Sequence, residues 1–210
     1  MKRREFSSLL ALAPAMPTLA LAQGAPAEGQ QYTRLATPVA TSAAGKIEVI
    51  EFFWYGCPHC NAFDPSVNDW AKALPADVAF RRVHVAFDAL KERHQRLFYA
   101  LESLNLEAQL HAKVMARFHV EHKPLNTEAD MIAFGTENGI EAARMDNALK
   151  SFSVIAKMRQ ARQLTDEYKV DGVPMIGIQG RYTTSPAQAG SHENALRVTN
   201  TLIAQLRKAG

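Results

Sequence analysis

The feature that most constrains the fold is an apolar run followed directly by the start of a helix. Residues 47–54 read IEVIEFFW, are dense in β-branched and aromatic side chains, and lie between Gly45 and Gly56. This composition and length predict a buried central strand. Pro58 then suits the first position of a helix, where its missing N–H is not needed. Residues 57–60 are therefore predicted to lie at a helix N-terminus, with unsatisfied N–H groups in front of it.

Further strands are predicted before and after a long helical stretch. Residues 79–87 (AFRRVHVAF) alternate polar and apolar side chains, which predicts a second strand. Residues 175–178 (MIGI) and 181–184 flank a Gln-Gly turn and predict a β-hairpin.

The helical patterns fall mainly between these strands, over residues 88–168. A helix capped by Asp88 begins this block, and the residues from Asn147 to Tyr168 are again helical in period. A last amphipathic helix spans about Glu193 to Lys208. The order of strand, helix, strand, helical block, hairpin and helix predicts one α/β sheet interrupted by a helical insertion.

The first 22 residues have the composition of a secretory signal peptide. A basic start, Lys2 to Arg4, precedes an apolar run from Leu9 to Leu21, and Ala20-Leu21-Ala22 fits a small-x-small cleavage site. We expect cleavage after Ala22. The alternative, a membrane-anchoring helix, is disfavoured because the run is short and contains two prolines. Two adjacent arginines also loosely match a twin-arginine signal, so the export route stays open.

Composition excludes several classes of protein. The net charge is +3 and no Lys/Arg block exceeds three residues, which gives no support for nucleic-acid binding. Hydrophobic content of 47% with 21% charged residues is typical of a globular chain. Only two cysteines are present, Cys57 and Cys60, so an exported protein of this size is not a disulfide-stapled scaffold.

The Cys57-Pro58-His59-Cys60 motif allows three interpretations. A purely structural disulfide gains little from closing so short a loop. A zinc site needs four ligands, and His119 and His122 could supply the other two, but they lie in a predicted amphipathic helix where solvated histidines are commoner than ligands. The third interpretation is a redox pair, and it explains more of the local sequence.

In the redox interpretation the two cysteines have different roles. The helix dipole stabilises a Cys57 thiolate by about 1–2 kcal/mol, which lowers its pKa by about one or two units. The N–H groups of His59 and Cys60 can point at the sulfur, and a protonated His59 adds positive charge. Cys60, one turn inside the helix, is expected to be shielded and to act as the resolving thiol. Stabilising the Cys57 thiolate favours the reduced form, which makes the disulfide a stronger oxidant.

Several motifs together resemble one family. Cys-Pro-His-Cys follows Glu51-Phe52-Phe53, Gly172-Val173-Pro174 precedes a strand, and Gln31-Tyr32 and His84-Val85 also match. The chain resembles the DsbA-type thiol:disulfide oxidoreductases of the bacterial periplasm over nearly all of its mature length.

The resemblance implies a thioredoxin-like α/β fold, formed by residues 23–87 and 169–210, with residues 88–168 as an inserted helical domain. It implies a periplasmic enzyme that needs no cofactor or metal beyond the redox-active disulfide Cys57–Cys60. The implied partners are unfolded exported proteins with free cysteines and a DsbB-like membrane quinone reductase that reoxidises the pair. We expect a monomer.

The resemblance also assigns roles to residues outside the motif. Val173 and Pro174 would form a cis-proline loop that faces the cysteines and pairs with the substrate backbone. Glu51 would be a buried acid beneath Cys60 that assists proton transfer, although a strand residue facing solvent is the alternative. Arg82 stands where the family often has lysine, and arginine does not release its proton at physiological pH. The remaining histidines are expected to be structural or solvated: His84, His94, His111, His119, His122 and His192.

The expected function is therefore that of a dithiol oxidase. The catalytic residues would be Cys57, Cys60, His59, Pro58 and Glu51, with Val173 and Pro174 binding substrate. An isomerase or reductase is the alternative within enzymes, and a non-enzymatic metal-binding carrier that uses the cysteines as ligands is the alternative outside them.

Overall fold

The computed structural model describes residues 25–209, which form a five-stranded mixed sheet packed with helices. The strands are β1 (Thr33–Arg34), β2 (Ile47–Phe53), β3 (Val78–His84), β4 (Met175–Ile178) and β5 (Tyr182–Thr184). The helices are α1 (Pro58–Lys72), α2 (Ala89–Ser103), α3 (Glu107–His119), α4 (Glu128–Glu137), α5 (Ala142–Lys150), α6 (Phe152–Glu167), α7 (Pro186–Ala189) and α8 (His192–Ala209).

The predicted buried strand, β2, lies inside the sheet. The strand order is β1-β5-β4-β2-β3, so β2 is paired on both sides. It runs parallel to β3, with Glu51 opposite Arg82, and antiparallel to β4. Six of its seven residues are buried. Because β2 and β3 are parallel, their C-terminal ends lie on the same side of the sheet, and α1 begins on that side, just after β2.

The two faces of the sheet pack against different helices. On one face, Ile176 and Ile178 of β4 share an apolar cluster with Phe63 of α1 and Leu202 of α8. On the other face, Gly177 lies beneath the ring of Tyr168, which also contacts Phe52 at 5.1 Å between ring centroids. That second face belongs to the cluster that includes α2 to α6. Successive residues of β4 therefore face opposite sides of the sheet and contact two different apolar clusters, as the pleat of a strand requires.

The helical block lies between β3 and β4, and the α/β class is confirmed. One prediction within it is wrong. The helical period from Asn147 to Tyr168 is broken at Ser151, which is extended (φ −67°, ψ 147°). The Ser151 hydroxyl accepts a hydrogen bond from the Val154 N–H, a common way to begin a helix. The apolar period continues across the break because α5 and α6 both bury one side. That residues 88–168 form a domain of their own stays a prediction.

Other differences concern short elements and boundaries. Strand β1 and helix α7 have no strong sequence pattern because each is only two to four residues long. Strand β3 ends at His84, three residues before the predicted end. The predicted signal peptide and its cleavage site lie outside the described residues. Within residues 25–209, no helix combines the length and the apolar character needed to cross a bilayer.

Gly177 provides a test of the packing between β4 and the helical block. A Cβ at this position would lie 2.4 Å from Cε1 of Tyr168 and 3.2 Å from Cε2 of Phe52. We expect Gly177→Ala to lower the free energy of unfolding by about 1–3 kcal/mol, because overpacking forces buried rings to move. Urea denaturation measures this.

Gly172→Ala is the matched control, because nothing lies within 4 Å of the position that a Cβ on Gly172 would occupy. Its stability should equal that of the wild type or exceed it slightly. Equal stabilities for the two variants would contradict the tight contact between Gly177 and Tyr168.

Candidate active site

The two cysteines lie at the junction between β2 and α1. Cys57 is the N-cap residue of α1, with extended backbone (φ −85°, ψ 117°), and Pro58 occupies the first helical position. The Cys60 N–H donates to the Cys57 sulfur over 3.4 Å. Both cysteines are free thiols, with Cys57 6% exposed and Cys60 fully buried. Only Cys57 is therefore open to an attacking group, while Pro58 and His59 are exposed beside it.

The surroundings separate the acidities of the two thiols. A hydrogen bond from the Cys60 thiol, together with the backbone N–H groups of Cys60 and His59 and the charge of His59, lowers the pKa of Cys57 to about 6, although burial opposes this. Burial raises the pKa of Cys60, and its hydrogen bond to Cys57 raises it further. The largest influence on Cys57 is thus its partner thiol, in addition to the helix N-terminus predicted from the sequence. The pair consists of one thiolate and one protonated thiol at neutral pH.

A loop distant in sequence lies against Cys57. The Val173–Pro174 peptide bond is cis. The Cys57 sulfur lies 3.6 Å from the Val173 carbonyl oxygen, and Pro174 is buried while Val173 is partly exposed. The fold therefore brings Val173 and Pro174 to the reacting sulfur, and β4 begins immediately after them at Met175.

Trp54 covers the segment that leads into the motif. Its indole N–H donates to Nδ1 of His94 over 3.0 Å, and the Lys91 ammonium lies 4.8 Å from the ring centroid. A Cβ on Gly56 would lie 2.4 Å from Cζ2 of Trp54, so only glycine fits beneath this ring. Trp54 is thereby fixed next to the thiol pair.

Two histidines hold the backbone of Tyr55, two residues before Cys57. The Tyr55 N–H donates to Nε2 of His84 over 3.3 Å, and Nε2 of His119 donates to the Tyr55 carbonyl over 2.8 Å. His84 comes from β3 and His119 from the end of α3. Both are structural, as expected, and together they attach the segment before Cys57 to the sheet and to the helical block.

Glu51 lies within the sheet close to the cysteines. It is 2% exposed, so the alternative of a solvent-facing residue is wrong. Its Oε2 accepts from Nε of Arg82 over 2.8 Å, a contact that follows from their pairing between β2 and β3. Burial raises the pKa of Glu51, and the charges of Arg82 and His111 oppose the rise. The charge of Glu51 in turn contributes to the raised pKa of Cys60.

The hydrogen-bonded chain that begins at Glu51 continues beyond Arg82. Nη2 of Arg82 donates to Oδ1 of Asp64 over 3.0 Å. Nε2 of His111 lies 2.9 Å from the same Asp64 oxygen, and Nδ1 of His111 lies 2.8 Å from Oε1 of Glu107. The chain therefore joins β2, β3, α1 and α3 beneath the active site.

Sequence reasoning missed Asp64 and His111. Asp64 follows Cys60 by four residues, so the helical period places both on one side of α1 and could have identified it. His111 has no comparable signal, because only the packing of α3 against α1 brings it to Asp64.

The described part of the chain contains no group of three or more His, Cys, Asp and Glu side chains arranged to hold a metal ion. His119, considered above as a zinc ligand, is hydrogen-bonded to the Tyr55 carbonyl. His122 is exposed.

A Cys-x-x-Cys pair at a helix N-terminus, faced by a cis-proline on a mixed α/β sheet, defines a thiol:disulfide oxidoreductase with a thioredoxin-like fold. Residues 83–193 match the family model described as a DSBA-like thioredoxin domain. The chain is 40% identical over 210 residues to the thiol:disulfide interchange protein DsbA of Bordetella parapertussis, covering 99% of this chain and 100% of that one.

Two further relatives agree with this result. DsbA of Azotobacter vinelandii is 41% identical over 181 residues, covering 86% of this chain and 85% of that protein. The crystal structure of Pseudomonas aeruginosa DsbA superposes with a TM-score of 0.84 at 38% identity, covering 88% of this chain and 96% of that one. The chain belongs to the DsbA family of thiol:disulfide oxidoreductases.

The unequal acidity of the thiols can be measured directly. We expect the thiolate absorbance of the reduced protein at 240 nm to rise with an apparent pKa of about 6. Cys60→Ala removes the thiol that donates to Cys57, and a hydrogen bond to a charged group contributes about 1.5–3 kcal/mol. The pKa of Cys57 should therefore rise by about 1–2 units in this variant. An unchanged or lower pKa would show that the backbone N–H groups alone stabilise the thiolate.

Proposed function

We propose that this protein oxidises pairs of thiols in newly exported proteins, with the Cys57–Cys60 disulfide as the oxidant. The observation that carries the proposal is the contrast between a Cys57 thiol with a pKa of about 6 and a buried Cys60 thiol with a raised pKa. A stabilised Cys57 thiolate favours the reduced pair, so the disulfide readily accepts electrons.

The reaction proceeds by two thiol–disulfide exchanges. A substrate thiolate attacks the Cys57 sulfur, the bond between Cys57 and Cys60 breaks, and the Cys60 sulfur takes up a proton. A second substrate thiolate then attacks the substrate sulfur of this mixed disulfide, and Cys57 leaves as a thiolate. Two electrons pass from the substrate to the pair. The low pKa of Cys57 makes it a good leaving group in the second step.

Glu51 is the proposed proton donor for Cys60. The Cys60 sulfur is fully buried, so a thiolate formed there is unstable without a nearby proton. Burial raises the pKa of Glu51, which keeps a proton available on its carboxyl group. Arg82 retains its own proton and orients the carboxyl through its Nε–H.

Val173 and Pro174 form the proposed substrate-binding loop. The Val173 carbonyl lies 3.6 Å from the sulfur that a substrate attacks, so a peptide entering this space meets a backbone acceptor beside its own cysteine. Because Pro174 has no N–H, the loop presents only part of the hydrogen-bonding pattern of a strand. Backbone recognition of this kind suits substrates of varied sequence, and exposed Pro58 and His59 border the same opening.

We further propose that the enzyme acts in the periplasm as a monomer, after removal of residues 1–22, and uses no bound cofactor or metal. Reoxidation of Cys57 and Cys60 requires an acceptor of two electrons, for which a DsbB-like membrane quinone reductase is the proposed partner. The support is the composition of residues 1–22 and membership of the DsbA family.

The alternatives are less well supported. A metal-binding carrier does not agree with relatives named thiol:disulfide interchange proteins. An isomerase or reductase would use the same two sulfurs, but the low pKa of Cys57 favours the direction in which the protein is reduced.

The order of the two steps predicts a covalent intermediate. The Cys60→Ala variant is incubated with a peptide whose single cysteine is joined to a small thiol by a disulfide. The Cys57 thiolate should attack the peptide sulfur and release the small thiol. The resulting disulfide between Cys57 and the peptide should be stable, because no resolving thiol remains. Mass spectrometry of the intact protein measures its formation.

Cys57→Ala is the matched control and should form little or no adduct, because Cys60 is fully buried. Equal adduct formation by both variants would contradict the assignment of Cys57 as the attacking thiol.

A further inference from the structure

His111 occupies an unusual position beneath the active site. It is 4% exposed and lies between two carboxylates, with Nε2 2.9 Å from Asp64 and Nδ1 2.8 Å from Glu107. It belongs to α3, in the helical block, and its hydrogen bonds go to these two carboxylates and to neither cysteine. The reaction steps described above do not use it.

The two contacts define the charge of the ring. An ionised carboxylate only accepts hydrogen bonds, whereas a neutral imidazole has one donor nitrogen and one acceptor nitrogen. Both nitrogens of His111 face carboxylate oxygens, and only an imidazolium can donate to both of them. Burial lowers the pKa of His111, but the hydrogen bonds to Asp64 and Glu107 outweigh it and raise the pKa above its ordinary value.

The charges around His111 are nearly balanced when it is protonated. Arg82 and His111 supply two positive charges, and Asp64 and Glu107 supply two negative ones. The remaining acid in this hydrogen-bonded group of side chains is Glu51, whose charge is not balanced by a further positive charge of the group. If His111 lost its proton, the remaining charges would be net negative, and ionisation of Glu51 would become less favourable.

The other neighbours of His111 add little charge. From the segment that contains β2, the rings of Phe53 and Tyr55 each lie 5.4 Å from the imidazole, between ring centroids. From β3, His84 is fully buried, and its pKa is lowered well below the ordinary value by that burial, so it is neutral. Of the two positive charges in this cluster, only that of His111 can be lost near neutral pH, because the Arg82 guanidinium retains its proton.

We propose that His111 is a positioning residue that sets the protonation of Glu51, through the chain formed by Asp64 and Arg82, and thereby controls the supply of a proton to Cys60. The inference rests on the proposed role of Glu51. Because Arg82 does not release its proton, the influence is electrostatic and no proton passes along the chain.

The direction of the effect follows from the charges. A protonated His111 stabilises the Glu51 carboxylate, so Glu51 releases its proton to Cys60 more readily. As the pH rises through the pKa of His111, this positive charge is lost and Glu51 holds its proton more tightly. The helical block thus contributes a charged group to the proton chemistry of the cysteine pair.

The test compares His111→Gln with the wild type. Titration of the Glu51 side-chain carboxyl carbon by NMR in the reduced protein should show its pKa higher by about one unit in the variant, as expected for loss of one charge in a partly buried cluster. His122→Gln is the matched control, because His122 follows the same helix and is exposed. It should leave the Glu51 pKa unchanged.

A second measurement does not depend on the folding of a variant. In the wild type, the ring nitrogens of His111 should both be protonated with a midpoint above the roughly 6.5 of an unperturbed histidine. A lower midpoint, or an unshifted Glu51 pKa in a folded His111→Gln variant, would overturn the proposal. The Glu51→Gln variant tests the role of Glu51 separately from that of His111. If this variant reacts with substrate peptides at the wild-type rate, the proposed role of Glu51 as a proton donor fails, whatever effect His111 has on the pKa of Glu51.

Discussion

The hydrogen bond from the Cys60 thiol to the Cys57 sulfur is the interaction on which the chemistry of this protein depends. Together with the N–H groups at the start of α1, it holds negative charge on Cys57 and a proton on Cys60. This arrangement needs the chain to change from strand to helix within four residues. The buried strand β2 fixes one side of that junction, and Pro58 at the first helical position fixes the other.

The rest of the site supports this junction from three directions. His84 and His119 hold the backbone of Tyr55, and the Val173 carbonyl faces the reacting sulfur. Below the junction, ionisable side chains are buried where apolar ones would pack more simply. Buried ion pairs gain little net stability, because removing each charge from water is costly. These side chains lie beneath the thiol that takes up a proton in the proposed reaction, and we assign them to that chemistry.

The sequence predicted the parts of this structure that depend on local pattern. The apolar run of β2, Pro58 and the Cys57 N-cap are all encoded within about a dozen residues, and the structure has each of them. The break at Ser151 was missed because a helical period continues across two helices that bury the same side. Asp64 was within reach of helical spacing from Cys60. His111 was not, because a contact between α1 and α3 depends on tertiary packing that no local pattern records. The pairing of Val173 and Pro174 with Cys57 was implied only by resemblance to a family.

The cysteine pair accepts electrons from its substrates because Cys57 is stabilised as a thiolate. At pH 7 a thiol with a pKa of about 6 is mostly ionised. That ionisation stabilises the dithiol form by about 1.4 kcal/mol, or about 30 mV for a two-electron couple. Equilibration with mixtures of reduced and oxidised glutathione at pH 7 measures the resulting potential. We expect the Cys57–Cys60 disulfide to be more oxidising than glutathione disulfide. It should therefore already be reduced in mixtures in which much of the glutathione is still oxidised. A disulfide that stays formed under strongly reducing mixtures would contradict this claim.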